Sequence, residues 1–130
     1  EMPWKLEYHE QSQIVELHIS GRANGDELRE AAAARIAYGK EKGVERYLIH
    51  ARHLAAPRSA TAAMHDIPTR LYDKERLSRS STIAVIAPMD AQSMWAVNFF
   101  EDTCVNRGWQ VESFLDRDRA IDWLLETPPQ

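Results

Sequence analysis

Two short apolar segments determine the architecture of this chain, Tyr47-Leu48-Ile49-His50-Ala51 and Ile83-Ala84-Val85-Ile86-Ala87. Each is a short, mostly apolar run that follows a helical pattern, which is typical of a strand buried in the centre of a parallel sheet. A polar bend that ends at Pro57 follows the first segment, and Pro88 closes the second. Because parallel neighbours need a crossover connection, usually a helix, the two segments predict an α/β protein.

Two alternating segments precede this core. Trp4-Lys5-Leu6-Glu7-Tyr8-His9 alternates apolar with polar residues, and residues 14–19 do the same with Val15, Leu17 and Ile19 on one side. Alternation predicts a strand with one buried face, and the polar break between the segments predicts an antiparallel hairpin that ends at Gly21.

Helical patterns fill the intervals between the later strands. The stripe of Leu28, Ala32 and Ile36 predicts a first helix that ends at Gly39 and Gly43. A second helix over residues 60–66 is broken or kinked by Pro68, and the last two helices cover residues 91–107 and the segment after residue 116. The predicted helix caps are Asn24-Gly25-Asp26, Ser59, Asp90 and Asp116.

The resulting order is ββαβαβαβα. Strands that alternate with helices predict parallel pairing with right-handed crossovers. We therefore expect an open, mixed, mostly parallel sheet with helices on both faces. We also expect residues 4–126 to form a single domain and residues 127–130 to form a loose C-terminal tail.

The composition of the chain narrows the classes of function that it could have. The chain has 130 residues, 44% hydrophobic and 28% charged, as is ordinary for a globular domain. Acidic residues outnumber basic ones by 20 to 16, which argues against a nucleic-acid partner. No apolar run approaches the ~18 residues of a membrane-spanning helix, so we expect a cytoplasmic protein without an integral membrane segment. Cys104, the only cysteine, is expected to be a small buried hydrophobe in a helix.

The order of elements is similar to the STAS fold of bacterial anti-sigma-factor antagonists. More closely, the chain resembles the small SpoIIAA-like proteins, which are grouped with STAS and CRAL-TRIO lipid-binding domains. The resemblance covers residues 4–126, and its residues are mostly structural, so it indicates a fold and leaves the activity open. The stretches that carry it are Leu48-Ile49-His50-Ala51-Arg52, Phe99-Phe100-Glu101, Asn106-Arg107-Gly108-Trp109, Phe114 and Ala120-Ile121-Asp122-Trp123-Leu124.

The resemblance implies a switch by phosphorylation. The classical antagonists carry Asp-Ser-Ser-Gly at the start of the helix after the central strand, and a partner kinase phosphorylates the second Ser. The corresponding residues here are Arg58-Ser59-Ala60-Thr61, so Ala60 occupies the phosphoacceptor position. Ser59 and Thr61 are the phosphorylation candidates that remain, since phosphate is favourable at a helix start. The simpler interpretation is that Ser59 only caps the helix.

Apolar side chains gather around Pro68 and along the following helix. In the CRAL-TRIO relatives, the resemblance implies a lipophilic ligand beneath a mobile helical gate, and a helix kinked by proline suits such a lid. Methionine and aromatic residues suit adaptable pockets, although an ordinary core or a homodimer face explains them more simply. The candidate ligand-binding residues are Met64, Ile67, Leu71, Tyr72, Met89, Met94, Trp95 and Phe99.

Polar residues at the strand ends are the candidates for catalysis, because ligands bind at that edge of open α/β sheets. His50, His53 and Asp90 could form an acid/base or metal site there, although hydrogen-bonded rim histidines are the simpler explanation. No nucleophile elbow, phosphate loop, dinucleotide fingerprint or zinc spacing is present, so the sequence predicts no metal and no cofactor.

We therefore expect a non-enzymatic binding or regulatory module. It would act through contact with a protein partner or by holding a small lipophilic ligand under the Pro68 segment. The first alternative is a signalling protein switched by phosphorylation, and the second is a small enzyme that uses the rim histidines. Exposed aromatic residues make a homodimer reasonable, and neither the ligand nor the partner is named by the sequence.

Overall fold

Seven strands and five α-helices make up the part of the chain that the structure describes. A computed structural model of the chain describes residues 3–127, so most of the predicted tail lies outside the described residues. The strands are β1 (Trp4–His9), β2 (Ile14–Ile19), β3 (Gly21–Arg22), β4 (Arg46–His50), β5 (Leu54–Ala55), β6 (Thr82–Ile86) and β7 (Gln110–Phe114). The helices are α1 (Gly25–Lys42), α2 (Thr61–Asp66), α3 (Tyr72–Lys74), α4 (Ala91–Asn106) and α5 (Arg117–Glu126).

The main sheet has the order β1-β2-β4-β6-β7. β1 pairs with β2 in the antiparallel direction, and every other neighbouring pair is parallel. The predicted hairpin and the predicted mixed, mostly parallel sheet are therefore confirmed. The short strands β3 and β5 form a separate parallel pair that the sequence did not predict. Gly21, at the predicted end of the hairpin, begins β3.

The two faces of the main sheet are covered unequally. On the face that we call the helical face, α1, α2 and α4 enclose the larger apolar core, with Val15, Leu17 and Ile19 of β2 pointing into it. On the opposite face, which we call the α5 face, α5 packs on β4, β6 and β7. Within residues 3–127, no helix has the length and apolar character that crossing a membrane requires.

The first helix begins as predicted and ends later than predicted. Asn24 is the N-cap and forms a capping box with Glu27, and Gly43 ends the helix in the left-handed conformation with φ of 69°. Gly39 was predicted to help end the helix, and this prediction is wrong. It lies inside α1, where a Cβ atom would come 2.6 Å from Cζ of Tyr47.

Ser59 does not cap a helix, which corrects the expectation for this position. It is exposed in a 3-10 turn, Arg58–Ala60, whose own N-cap is Pro57, and α2 then starts at Thr61 with Ala60 before it. The ring of Pro57 restricts its φ, which is −69°, and this sets the direction in which the chain enters the 3-10 turn. The caps at Asp90 and Asp116 are confirmed, since each side chain accepts a backbone N–H of its helix.

Candidate functional site

A small apolar cavity lies under the helical face. Its volume is about 50 Å³, and it is enclosed by the sheet together with α1, α2 and α4. The side chains around it are apolar with one exception, the guanidinium of Arg35. Among the apolar lining residues are Leu17, Ile19, Leu28, Met64, Ile67 and Phe100.

Arg35 is a buried cation in this core, with only 1% of its surface exposed. Its Cζ atom lies 5.2 Å from the ring centroid of Tyr47 and 5.3 Å from that of Tyr72, and Nη2 donates a hydrogen bond to the Tyr72 hydroxyl. The two rings stabilise the charge through their π faces. Within residues 3–127, the buried Nε and Nη1 atoms have no hydrogen-bond partner. The guanidinium therefore has donors left for an anionic group.

The ionisable neighbours of Arg35 stay protonated. Burial raises the pKa of the Tyr72 hydroxyl and of the Cys104 thiol, and the charge of Arg35 opposes this only in part. Cys104 is fully buried, as the sequence predicted. A protonated thiol without access to solvent is a poor nucleophile, so Cys104 is a structural residue of this core.

A widened helical turn closes the cavity on the side of α2. Residues Ile67–Leu71 form a π-helix, in which the amide of Tyr72 donates to the carbonyl of Ile67. Pro68 lies in this turn and has no amide to donate, so the ordinary helical ladder is interrupted there. The sequence predicted a break or kink at Pro68, and the structure replaces it with a continuous helical path whose turn contains more residues.

The predicted ligand-binding residues separate into two groups. Met64, Ile67 and Tyr72 are buried, and Leu71 packs against the same core. The second group lies at the surface around the start of α4, where Met89 is 73% and Trp95 57% exposed. The half-buried members of this second group are Met94 and Phe99. Their role in ligand binding stays a prediction.

A surface groove adjoins the second group. It has a volume of about 510 Å³ and is lined by residues from the 3-10 turn, α2 and α4, including Arg58, Thr61 and Trp95. The ring of Trp95 stacks on Phe99 at a centroid distance of 5.6 Å, and Phe99 stacks on His65 at 6.3 Å. Among the described residues that line the groove, one is aromatic, Trp95, and one is positively charged, Arg58.

The three residues proposed for acid/base chemistry take separate positions. His50 lies on the α5 face, where its Nδ1 atom is 3.4 Å from a carboxylate oxygen of Glu16. His53 is exposed, and its carbonyl accepts a hydrogen bond from Gly21. Asp90 caps α4 by accepting the amide of Ser93 at 2.8 Å. An acid/base role for these residues stays a prediction.

Glu16 is the centre of a charged cluster on the α5 face. Its side chain is fully buried and accepts two hydrogen bonds from Arg117, of which the Nη2–Oε1 bond is 2.7 Å long, and one from His9 at 2.6 Å. Burial acts to raise the pKa of Glu16, but the hydrogen bonds from Arg117 and His9 outweigh it and lower the pKa to about 2. Burial lowers the pKa of His50, so this imidazole favours its neutral form.

A solved structure places the whole arrangement among known folds. It is the crystal structure of an uncharacterized protein from the DUF3478 family of Shewanella loihica PV-4 with a SpoIIAA-like fold. The two chains align with a TM-score of 0.57 over 93% of this chain and 91% of that chain, at 13% sequence identity. The present chain has a SpoIIAA-like fold. No protein-family model and no curated protein matches its sequence.

In this SpoIIAA-like fold, the two phosphorylation candidates lie at the start of α2. Ser59 is exposed, whereas Thr61 is half-buried and its hydroxyl donates to the carbonyl of Arg58 at 2.8 Å. The Thr61 side chain also lines the surface groove. Phosphorylation at either residue stays a prediction.

Arg35, Glu16 and His18 are among the residues of the SpoIIAA-like fold that sequence reasoning missed. The signal for Arg35 was present, because it stands seven residues after Leu28 and therefore on the apolar stripe of α1. Glu16 occupies a polar position of an alternating strand. Its partners come from β1, β4 and α5, and only the strand order brings them together.

Proposed function

We propose that the chain is a non-enzymatic binding module that holds a small lipophilic acid in the cavity beside Arg35. The observation that carries the proposal is the buried guanidinium, which has two nitrogen atoms without a partner in residues 3–127. A buried charge is costly unless it is paired. A carboxylate head would pair with Arg35, and an apolar tail would replace contacts in the surrounding core.

The π-helix is the part of the wall that we expect to move. A cavity of about 50 Å³ is smaller than the ~300 Å³ that binding sites for small molecules typically have, so the wall must open. The hydrogen-bond ladder of Ile67–Leu71 is interrupted, because Pro68 supplies no amide hydrogen. We expect this turn to move outward with α2, while α1 and the sheet keep their positions.

Decanoate and decanol test the proposal as a matched pair of probes. They share an apolar tail, but only decanoate has the anionic head that Arg35 would bind. We expect decanoate to bind about tenfold more tightly than decanol, since charge-assisted hydrogen bonds contribute ~1.5–3 kcal/mol. Isothermal titration measures both affinities, and native mass spectrometry of the protein as purified shows whether a ligand is already bound.

Two variants test whether the preference for decanoate depends on Arg35. Arg35→Met is expected to remove the preference for decanoate, and Arg119→Met, an exposed arginine on the opposite face of the sheet, is expected to keep it. Equal binding of decanoate and decanol by the unmodified chain would overturn the proposal. This comparison uses the unmodified chain, so it tests the proposal even if Arg35→Met does not fold.

A homodimer is the second candidate, carried by the exposed side chains beside the surface groove. Met89 and Trp95 project next to a groove of about 510 Å³. In a twofold dimer each chain offers the same surface, so a projection and an adjacent groove can fill each other reciprocally. Large exposed apolar side chains of this kind are typical of protein contacts. A second copy of this chain is the occupant that we propose.

A further inference from the structure

Beside α5, strands β1, β2 and β4 carry a row of histidine and carboxylate side chains on the α5 face. In the register of the sheet, His18 of β2 lies opposite His50 of β4, and Glu7 of β1 lies opposite Glu16 of β2. Side chains two residues apart on one strand share a face, so Glu16 and His18 point the same way. The strand pairing thus brings four metal-binding side chains from three strands together.

Two distances in this cluster do not suit hydrogen bonds. The Nε2 atom of His18 and the Nδ1 atom of His50 each lie 3.4 Å from Oε2 of Glu16. A charge-assisted N–H···O bond is typically ~2.7–2.9 Å long. Moreover, Nδ1 of His50 is buried and has no hydrogen-bond partner within the described residues 3–127. These two nitrogen atoms face a carboxylate oxygen that they do not bond well.

The same distances suit a shared metal ion. Zinc binds histidine nitrogen and carboxylate oxygen at ~2.0–2.2 Å, and ligands of a tetrahedral ion are then about 3.3–3.5 Å apart. The donor atoms of Glu16, His18 and His50 all lie within 4.8 Å of one another. We propose that Glu16, His18 and His50 bind a divalent transition-metal ion, such as Zn²⁺.

The protonation states agree with this assignment. Neutral imidazole is the form that binds a metal, and burial lowers the pKa of His50 so that this form dominates at neutral pH. Nε2 of His18 hydrogen-bonds to Oε1 of Glu7 at 2.9 Å without the metal. In the metal-bound form, Nε2 exchanges this hydrogen bond for the ion, and the single proton of the neutral ring lies on Nδ1. The side chains of His18 and His50 are each 27% exposed, so the fourth position is open to water.

Arg117 and His9 are positioning residues in this arrangement. Both hydrogen-bond to the carboxylate of Glu16, which fixes the direction of its oxygen atoms. The charge of Arg117 also repels a metal cation. We therefore expect the ion to bind reversibly and to be lost to strong chelators.

Cobalt(II) is the probe that tests the site. Its visible absorption intensifies when it enters a four- or five-coordinate site with histidine ligands. The untagged chain is stripped with a chelator, dialysed and titrated with Co²⁺ at neutral pH. We expect one ion per chain, a visible band that saturates, competition by Zn²⁺ and a rise in melting temperature.

Glutamine variants identify the ligands. His18→Gln and His50→Gln are expected to weaken binding at least tenfold. His53→Gln and His65→Gln replace exposed histidines outside the cluster, and they are expected to leave binding unchanged. Equal losses in all four variants would show binding to scattered surface histidines and would overturn the proposal.

NMR spectra of the unmodified chain test the site even if the variants do not fold. Bound Co²⁺ is paramagnetic and broadens the ring proton signals of its ligands in NMR spectra. We expect the signals of His18 and His50 to disappear first, before those of His53 and His65. If no visible band forms and all five histidines respond alike, the metal site does not exist.

Discussion

Glu16 shows how one buried carboxylate makes stability depend on pH. Its pKa in the folded chain is about 2, against 4.5 for an ordinary carboxyl group. A lowered pKa contributes stability that is present above pH 4.5 and is lost as the pH falls towards 2. The shift corresponds to about 3 kcal/mol at neutral pH. His50 acts in the same direction, since its lowered pKa makes protonation below about pH 6.5 unfavourable in the folded state.

Arg117→Met tests this account of Glu16. Removing the guanidinium leaves the buried carboxylate poorly compensated, so we expect a loss of about 2 kcal/mol in the free energy of unfolding at pH 7. The loss should shrink as the pH falls towards 2, because without Arg117 the carboxyl group takes up its proton at a higher pH than in the unmodified chain. Urea denaturation at several pH values, in the presence of a chelator, measures both effects. Arg119→Met, on the exposed side of the same helix, should match the unmodified chain; an equal loss in that control would contradict the account.

At the scale of elements, α1 shows why a glycine can lie inside a helix. Alanine would favour the helix at position 39 by about 1 kcal/mol, because glycine loses more conformational freedom on folding. However, a Cβ atom there would lie 2.6 Å from Cζ and 2.7 Å from Cε1 of Tyr47. Tyr47 in turn stacks on Arg35, so the close approach of α1 to β4 holds the cationic site together.

Gly39→Ala is therefore expected to destabilise the chain although alanine is the better helix former. Forcing a methyl group against the Tyr47 ring should cost about 1–3 kcal/mol in the free energy of unfolding. Chemical denaturation measures this cost. Ala37→Gly, at an exposed position of the same helix, should lose only about 1 kcal/mol from helix propensity. A stabilised Gly39→Ala variant would show that Tyr47 moves aside freely.

Local chemistry predicted some elements well and others not at all. The caps of α1, α4 and α5 were visible because Asn24, Asp90 and Asp116 bond to amides three residues away or closer. The π-helix was not predictable from the sequence. Pro68 indicates that the hydrogen-bond ladder is interrupted, but it does not indicate how the packing of neighbouring helices shapes the chain at that point. Ser59 was misjudged because Pro57 makes the chain enter through a 3-10 turn.

At the scale of the whole molecule, the sequence predicted helices on both faces but not their unequal distribution. The order of the strands determines which half of the α5 face α5 covers, and contacts across strands are not readable from one chain segment. The histidines of the metal proposal are 32 residues apart in sequence and meet only because β2 and β4 pair in parallel. The fold was thus predictable from the periodicity of apolar residues along the chain. The candidate sites could not be predicted in this way, because they depend on the register in which the strands pair.

The homodimer is a prediction at this scale. We expect sedimentation equilibrium to find a mass twice that of one chain, with an interface centred on Trp95. Trp95→Ser should weaken the dimer at least about tenfold, because a central tryptophan commonly contributes ~2 kcal/mol or more to binding. Val105→Ser, another exposed apolar position of α4, should leave the dimer unchanged. A monomeric unmodified chain, or an equal effect of both variants, would exclude this interface.

The alternation along β2 limits how this sequence can change. Val15, Leu17 and Ile19 belong to the core around Arg35, while Glu16 and His18 between them belong to the charged cluster on the other face. Inserting or deleting one residue before Glu16 would exchange the two faces, placing a carboxylate in the lipophilic core and a leucine among the histidines. The strand can therefore accept substitutions one at a time, but we expect it to keep its length in any descendant that retains both sites.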